Sequence, residues 1–136
     1  MVASQIDRIL ETVLYYSDDS RKAMLQFYDD VLELRGTRIL VDQAIAYRIG
    51  SSVLLIFDAD ETVAKRSPPP TGTSGRGHVC FAVRSEGYED WKERLSAKGV
   101  SIIEEIEWTS PLKGRSFYFH DPAGNVLEIA DQDIWP

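Results

Sequence analysis

Phe117-Tyr-Phe-His-Asp-Pro-Ala-Gly-Asn-Val-Leu-Glu-Ile-Ala-Asp131 reads as two runs of strand alternation, 115–120 and 126–130, around a turn. Pro122 supplies a fixed φ to that turn and Gly124 a positive one. In the first run Phe117 and Phe119 share one face, and Ser116, Tyr118 and His120 share the other. In the second run Leu127 and Ile129 are apolar and flank Glu128. A carboxylate facing away from two aliphatic neighbours in a central strand must be solvated, paired or bound to a cation.

Working outward, the same order of elements is met twice. Residues 10–16 form a β-rich first strand that ends at Ser17-Asp18-Asp19-Ser20, four good helix-capping residues. Met24, Phe27, Tyr28, Val31 and Leu32 then recur at helical spacing, and Gly36 closes the element. Strands are expected at 37–41, 44–49 and 52–59, with Asp42-Gln43 and Gly50-Ser51 as turns. Residues 66–77 hold three prolines and three glycines, the composition of a linker or mobile loop. The pattern restarts with a strand at 78–83 and a helix from about Gly87 that carries Tyr88, Trp91 and Leu95 and is closed by Gly99. Strands at 101–108, 115–120 and 126–130 complete it. The result is an internal βαβββ repeat of about sixty-five residues, with module one at 8–60, a linker at 61–76 and module two at 77–132. The fold class is α+β, with two modules related by a pseudo-twofold axis and an open, curved sheet around a cleft.

Aligning residues 12–16 with 79–83, and 53–57 with 126–130, makes Glu11 equivalent to His78 and Leu55 equivalent to Glu128. Three of these four positions carry metal-binding groups. Two carboxylates and one imidazole suit a divalent ion such as Mn, Fe, Co, Ni or Zn. Leu55 at the fourth position would line the substrate side and leave the ion open to water and substrate, as a catalytic ion requires. Read singly, each residue has an ordinary explanation: Glu11 as a solvated strand-end carboxylate, His78 as a partner for its neighbours, Tyr118 as a plain strand aromatic. Ser116 and Tyr118 share the parity of the cleft face and are candidate substrate donors; His120, beside Asp121 at the hairpin mouth, is read as a turn residue lining the cleft.

A single domain of 136 residues can bury a core without staples. Fifteen basic against twenty-two acidic residues, net −7, argue against nucleic acid and anionic membranes as partners. The lone Cys80 fits a reducing compartment, and no apolar run suggests a signal peptide or spanning helix, so a cytoplasmic protein is expected.

Residues 27–32, 77–83 and 117–128 together make the chain resemble the vicinal oxygen chelate superfamily, the relatives of glyoxalase, bleomycin-resistance proteins and extradiol dioxygenases. The resemblance implies paired βαβββ modules, a homodimer, and a divalent metal at Glu11, His78 and Glu128. Ser116 and Tyr118 match substrate-contacting positions of the fosfomycin-resistance branch, and Tyr118 also a pocket tyrosine of the ring-cleaving enzymes. The sequence departs from the family in having Glu11 where a His is common and Leu55 where glyoxalase I has a Glu. The expected function is metal-dependent lyase or isomerase chemistry on a small oxygen-bearing substrate, with the metal as Lewis acid and Glu11 or Glu128 as base. The alternatives are a ring-cleaving dioxygenase and a metal-free drug- or metabolite-binding protein.

Overall fold

In the computed structural model, which describes residues 4–17, 19–41 and 44–136, the hairpin of the quoted stretch is antiparallel. β7 (Gly114–His120) pairs with β8 (Val126–Asp131), placing Phe117 opposite Ile129 and Tyr118 opposite Glu128. Gly124, at φ +87, makes the turn that only glycine adopts without strain. β8 also runs parallel to β5 (His78–Val83), and β7 pairs with β6 (Glu104–Trp108), so the second sheet has the order β5-β8-β7-β6.

The first sheet has the same plan. β1 (Glu11–Tyr16) lies parallel to β4 (Ser52–Asp58), followed by β3 (Ala44–Ile49) and the two-residue β2 (Arg38–Ile39), in the order β1-β4-β3-β2. The registers confirm the alignment of the halves. Val13 stands opposite Leu55, and Cys80 opposite Glu128. Likewise the Val53 N–H donates to the Leu10 carbonyl and that of Val126 to the Gly77 carbonyl, both at 2.9 Å. The protein is therefore α+β, two repeats of one open four-stranded unit.

Alternation sends one face of each sheet inward. Leu14, Tyr16, Leu54, Ile56, Phe117, Phe119, Leu127 and Ile129 form one core with Met24, Phe27 and Tyr28 from the first helical segment and with Tyr88 and Leu95 from α3 (Tyr88–Ala97). Several details differ from the sequence expectation, among them the strand expected at 101–108, which begins only at Glu104. The first helix is α1 (Arg21–Gln26) for only six residues and then widens into a π-helical turn, Phe27–Val31. That widening accompanies the burial of Asp29, 3 % exposed, which accepts from the Tyr47 hydroxyl at 2.8 Å and pairs with Arg38 at 3.4 Å. Glu33, not Gly36, takes the left-handed conformation beyond the helix (φ 59), held there by Arg94 at 2.8 Å from the other module. The expected strand at 37–41 is reduced to β2 after a 3-10 turn, Arg35–Thr37. The proposed cap Asp18 and turn Asp42-Gln43 lie outside the described residues, and Ser20 is the N-cap of α1 without a side-chain bond.

The proline- and glycine-rich stretch is tied down. It follows a short helix the sequence reading did not anticipate, α2 (Ala59–Val63), whose first turn is capped by Asp58 accepting from the Asp60 N–H. Tyr15 donates to Thr71 at 2.7 Å, and Gly72 lies so close to the Ala59 carbonyl that a Cβ would sit 2.6 Å from its oxygen. The modules are joined by a buried polar knot. Tyr28 donates to Asp121 at 2.7 Å; Asn125 donates to Asp121 at 2.8 Å and to the Tyr15 carbonyl at 3.1 Å, and accepts from the Gly77 N–H at 2.9 Å. At the far edge of the second sheet, β6 carries Glu104, Glu105 and Glu107.

Candidate metal and substrate site

The outward face of the second sheet is where the predicted site residues meet. On β5 the alternation that turns Val79, Phe81 and Val83 toward the core turns His78, Cys80 and Ala82 outward. Glu128 is on the adjacent strand, directly opposite Cys80 and Tyr118. His78 Nε2 lies 3.3 Å from Glu128 Oε1, and the His78 and Tyr118 rings stack at 6.2 Å between centroids.

The other nitrogen of His78 fixes the chemistry of that contact. Nδ1 is 2.8 Å from the Val126 carbonyl oxygen, which only accepts, so Nδ1 carries the hydrogen. In the neutral ring Nε2 then presents a lone pair toward a carboxylate oxygen. Two acceptors at 3.3 Å repel unless a cation, proton or metal, lies between them. A divalent ion fits this donor pair: bonds of about 2.1 Å at a tetrahedral angle place neighbouring ligand atoms about 3.4 Å apart. The carbonyl behind Nδ1 is the orienting partner that metal-bound histidines have.

Glu128 is only 7 % exposed and stands between Cys80 and Tyr118. Partial burial, and then the neighbouring Glu128 charge, push the Cys80 thiol up to about 12. Burial also raises the Tyr118 phenol; the Ser116 hydroxyl acts in the opposite direction, and Glu128 adds to the rise. Ser116 is fully buried and accepts from the Trp108 indole N–H at 2.9 Å, which leaves its own hydrogen free to be donated.

His78, Glu128, Tyr118 and Ser116 thus share one face, as their parity requires. His120 is the last residue of β7 and lines a cleft of about 350 Å³ with Arg76, Ile103, Glu104, Ile106, Tyr118 and Val126. Glu11 is on the edge strand β1, opposite Val53, and Leu55 is half-buried on β4 opposite Val13 and Ala46. Among the described residues no group of three His, Cys, Asp or Glu side chains is placed to hold a metal within one chain. The pair His78–Glu128 is formed; Glu11 does not join it in the isolated chain. Sequence reasoning missed Cys80, Trp108 and Arg76. Counting by twos from His78 reaches both Cys80 and Arg76, whereas nothing local marks Trp108, whose role depends on the β6–β7 register.

Residues 6–129 match the sequence model of the Glyoxalase/Bleomycin resistance protein/Dioxygenase superfamily. The chain belongs to that superfamily. Among solved structures it is similar to a lactoylglutathione lyase from Agrobacterium tumefaciens, with 32 % identity, a TM-score of 0.84, and 96 % of this chain and 97 % of that one covered. It is also 33 % identical to the glutathione transferase FosA of Serratia marcescens over 84 residues, 62 % of this chain. That match spans 55 % of the transferase, just over half its length. The metallothiol transferase FosB of Staphylococcus saprophyticus is 27 % identical over 119 residues, covering 86 % of this chain and 72 % of the relative. Among the described residues no helix is long and apolar enough to cross a membrane.

Proposed function

We propose that this superfamily member is a metal-dependent enzyme of the lyase or isomerase type, acting on a small oxygen-bearing substrate in a homodimer. The carrying observation is the His78–Glu128 pair, two acceptors 3.3 Å apart with Nδ1 of the histidine already committed to a carbonyl. His78 and Glu128 hold the divalent ion, and Glu11 of a second copy supplies the third ligand, because one chain does not gather all three. When bound, the ion supplies Lewis-acid polarisation of substrate oxygens. The protein's own groups do the rest. Tyr118 donates its phenolic hydrogen to a substrate oxygen, and Ser116, held by Trp108, keeps that phenol oriented. A carboxylate, Glu11 or Glu128, takes and returns the substrate proton. Val13 and Leu55 of the second copy, on the same sheet as its Glu11, and the Tyr118 ring limit water around the reacting atoms.

The test is titration of the chelator-stripped protein with Mn²⁺, Ni²⁺ and Zn²⁺. The wild type is expected to bind one ion per chain; His78→Ala, Glu128→Gln and Glu11→Ala each weaken binding at least a hundredfold while the fold is kept. Mixing Glu11→Ala with Glu128→Gln and refolding together is expected to restore one tight site per mixed dimer. No stoichiometric binding in the wild type would return the protein to the metal-free binding class. The names of the FosA and FosB relatives favour a second reading, thiol transfer to a small electrophile, which a conjugation assay separates from isomerisation.

A further inference from the structure

We propose that Arg76, with His120 and Tyr118, forms a subsite for an oxyanion, a carboxylate or phosphate group, so that the substrate carries a negative charge at the β5 side of the cleft. The inference takes from the proposed function only the idea that substrate lies on this face. Arg76 stands two residues before His78 and borders two cavities, the cleft with Tyr118 and His120 and a larger one of about 520 Å³ beside Tyr15 and the 72–75 loop. Its backbone is anchored on the next residue. The Gly77 N–H donates to Asn125 and the Gly77 carbonyl accepts from Val126, and a Cβ at Gly77 would meet Leu14 at 3.0 Å and Asn125 at 3.1 Å. The chain therefore enters Arg76 beside a fixed neighbour.

Its charge is not spent within the protein. Arg35, Arg38, Arg94 and Arg115 pair with carboxylates; among the described residues Arg8, Arg21, Arg48, Arg66, Arg76 and Arg84 have none within ion-pair distance, and of these Arg76 is the one that lines the cleft. In a chain of net charge −7 that is a place where positive potential survives. Both of the chain's histidines, His78 and His120, stand beside it, each paired in register with Val126. Of the carboxylates on this face, Glu128 lies against His78 at 3.3 Å, and Glu104, on the cleft wall, belongs to β6, three strands from β5 and so about 14 Å from that strand across the sheet. The cleft is therefore polarised: its Arg76 side attracts an anion and its Glu104 side repels one. A planar guanidinium with paired N–H donors matches both carboxylate and phosphate oxygens.

The experiment is an NMR titration of the chelator-treated protein at constant pH and ionic strength, following the ring hydrogens of the two histidines while inorganic phosphate or, in a parallel arm, acetate is added. A saturable shift of His120 is expected with at least one anion, and which of the two saturates identifies the group the subsite takes. Arg76→Ala is expected to weaken that binding at least tenfold, Arg76→Lys to retain part of it, and Arg84→Ala, beyond the far end of β5, to leave it unchanged. Shifts that never saturate, or that are equal in wild type and Arg76→Ala, mean an adventitious ion only and overturn the proposal. Because no metal is present, a failed metal titration leaves this result standing. Conversely, Arg76→Ala is expected to bind metal as the wild type does.

Discussion

Row for row, the two sheets share their backbone register and differ in what they carry. On the face turned away from the core, the first module has the row Val13, Leu55, Ala46, and the second has Cys80, Glu128, Tyr118 in the same row. One row further along stand Glu11, Val53 and Arg48 against His78, Val126 and His120. A repeated fold therefore does not repeat a site. The polar row of the second module calls for a partner, the cation that the His78–Glu128 pair can hold, whereas the apolar row of the first needs none.

Making the rows alike should have the largest effect. Leu55→Glu places a carboxylate at the position equivalent to Glu128. Without metal it is expected to cost about 1–3 kcal/mol of stability, since a half-buried carboxylate lacks a partner. With metal it is expected to tighten binding at least tenfold and to lower turnover by filling a substrate position, measured by denaturation with and without Zn²⁺ and by metal titration. A destabilised variant with unaltered metal affinity would show that the two rows do not face a common ion.

A smaller effect separates Asn125 from its counterpart Ser52. Asn125, 1 % exposed, bonds Gly77, Tyr15 and Asp121, while Ser52 bonds only the Ile9 carbonyl at 3.0 Å near the surface. Asn125→Ala is expected to cost about 2–3 kcal/mol and Ser52→Ala at most about 0.5 kcal/mol in urea denaturation. Equal costs would mean that the turn knot does not bind the modules together.

The smallest effect compares how each edge strand is tied to its helix. In the first module β2 offers Arg38 to the buried Asp29; in the second, β6 offers Glu105 to Tyr88 at 2.7 Å and Lys92 at 3.0 Å. The Tyr88 hydroxyl, and then Lys92, hold the Glu105 carboxyl below its usual range. A depressed carboxyl stabilises the fold above its unfolded-state pKa and loses that contribution as pH falls through the folded value. Glu105→Gln is expected to cost under about 1 kcal/mol at pH 7, because the group is partly exposed, and nothing at the acid end of the profile. A pH-independent difference would assign the loss to the Tyr88 bond alone.

Most of this architecture was legible because periodicity reports burial. Two-residue alternation around Phe117, Leu127 and Val79 located the strands, and the repeat aligned 11 with 78 and 55 with 128, as the registers confirm. The early end of α1 and the positive φ of Glu33 were not legible, since each answers to a distant partner: Tyr47 for Asp29, Arg94 for Glu33. The His78–Glu128 pair followed from parity. The Trp108–Ser116 bond and the uncompensated charge of Arg76 are properties of the assembled sheet, and no local pattern encodes them.

The three glutamates of β6 bear on how the protein behaves at high concentration. Its open edge offers unpaired backbone groups to any other strand, and Glu104, Glu105 and Glu107 surround that edge with like charge. Two copies meeting edge to edge would juxtapose six carboxylates, which keeps the strand from serving as a template for fibrils.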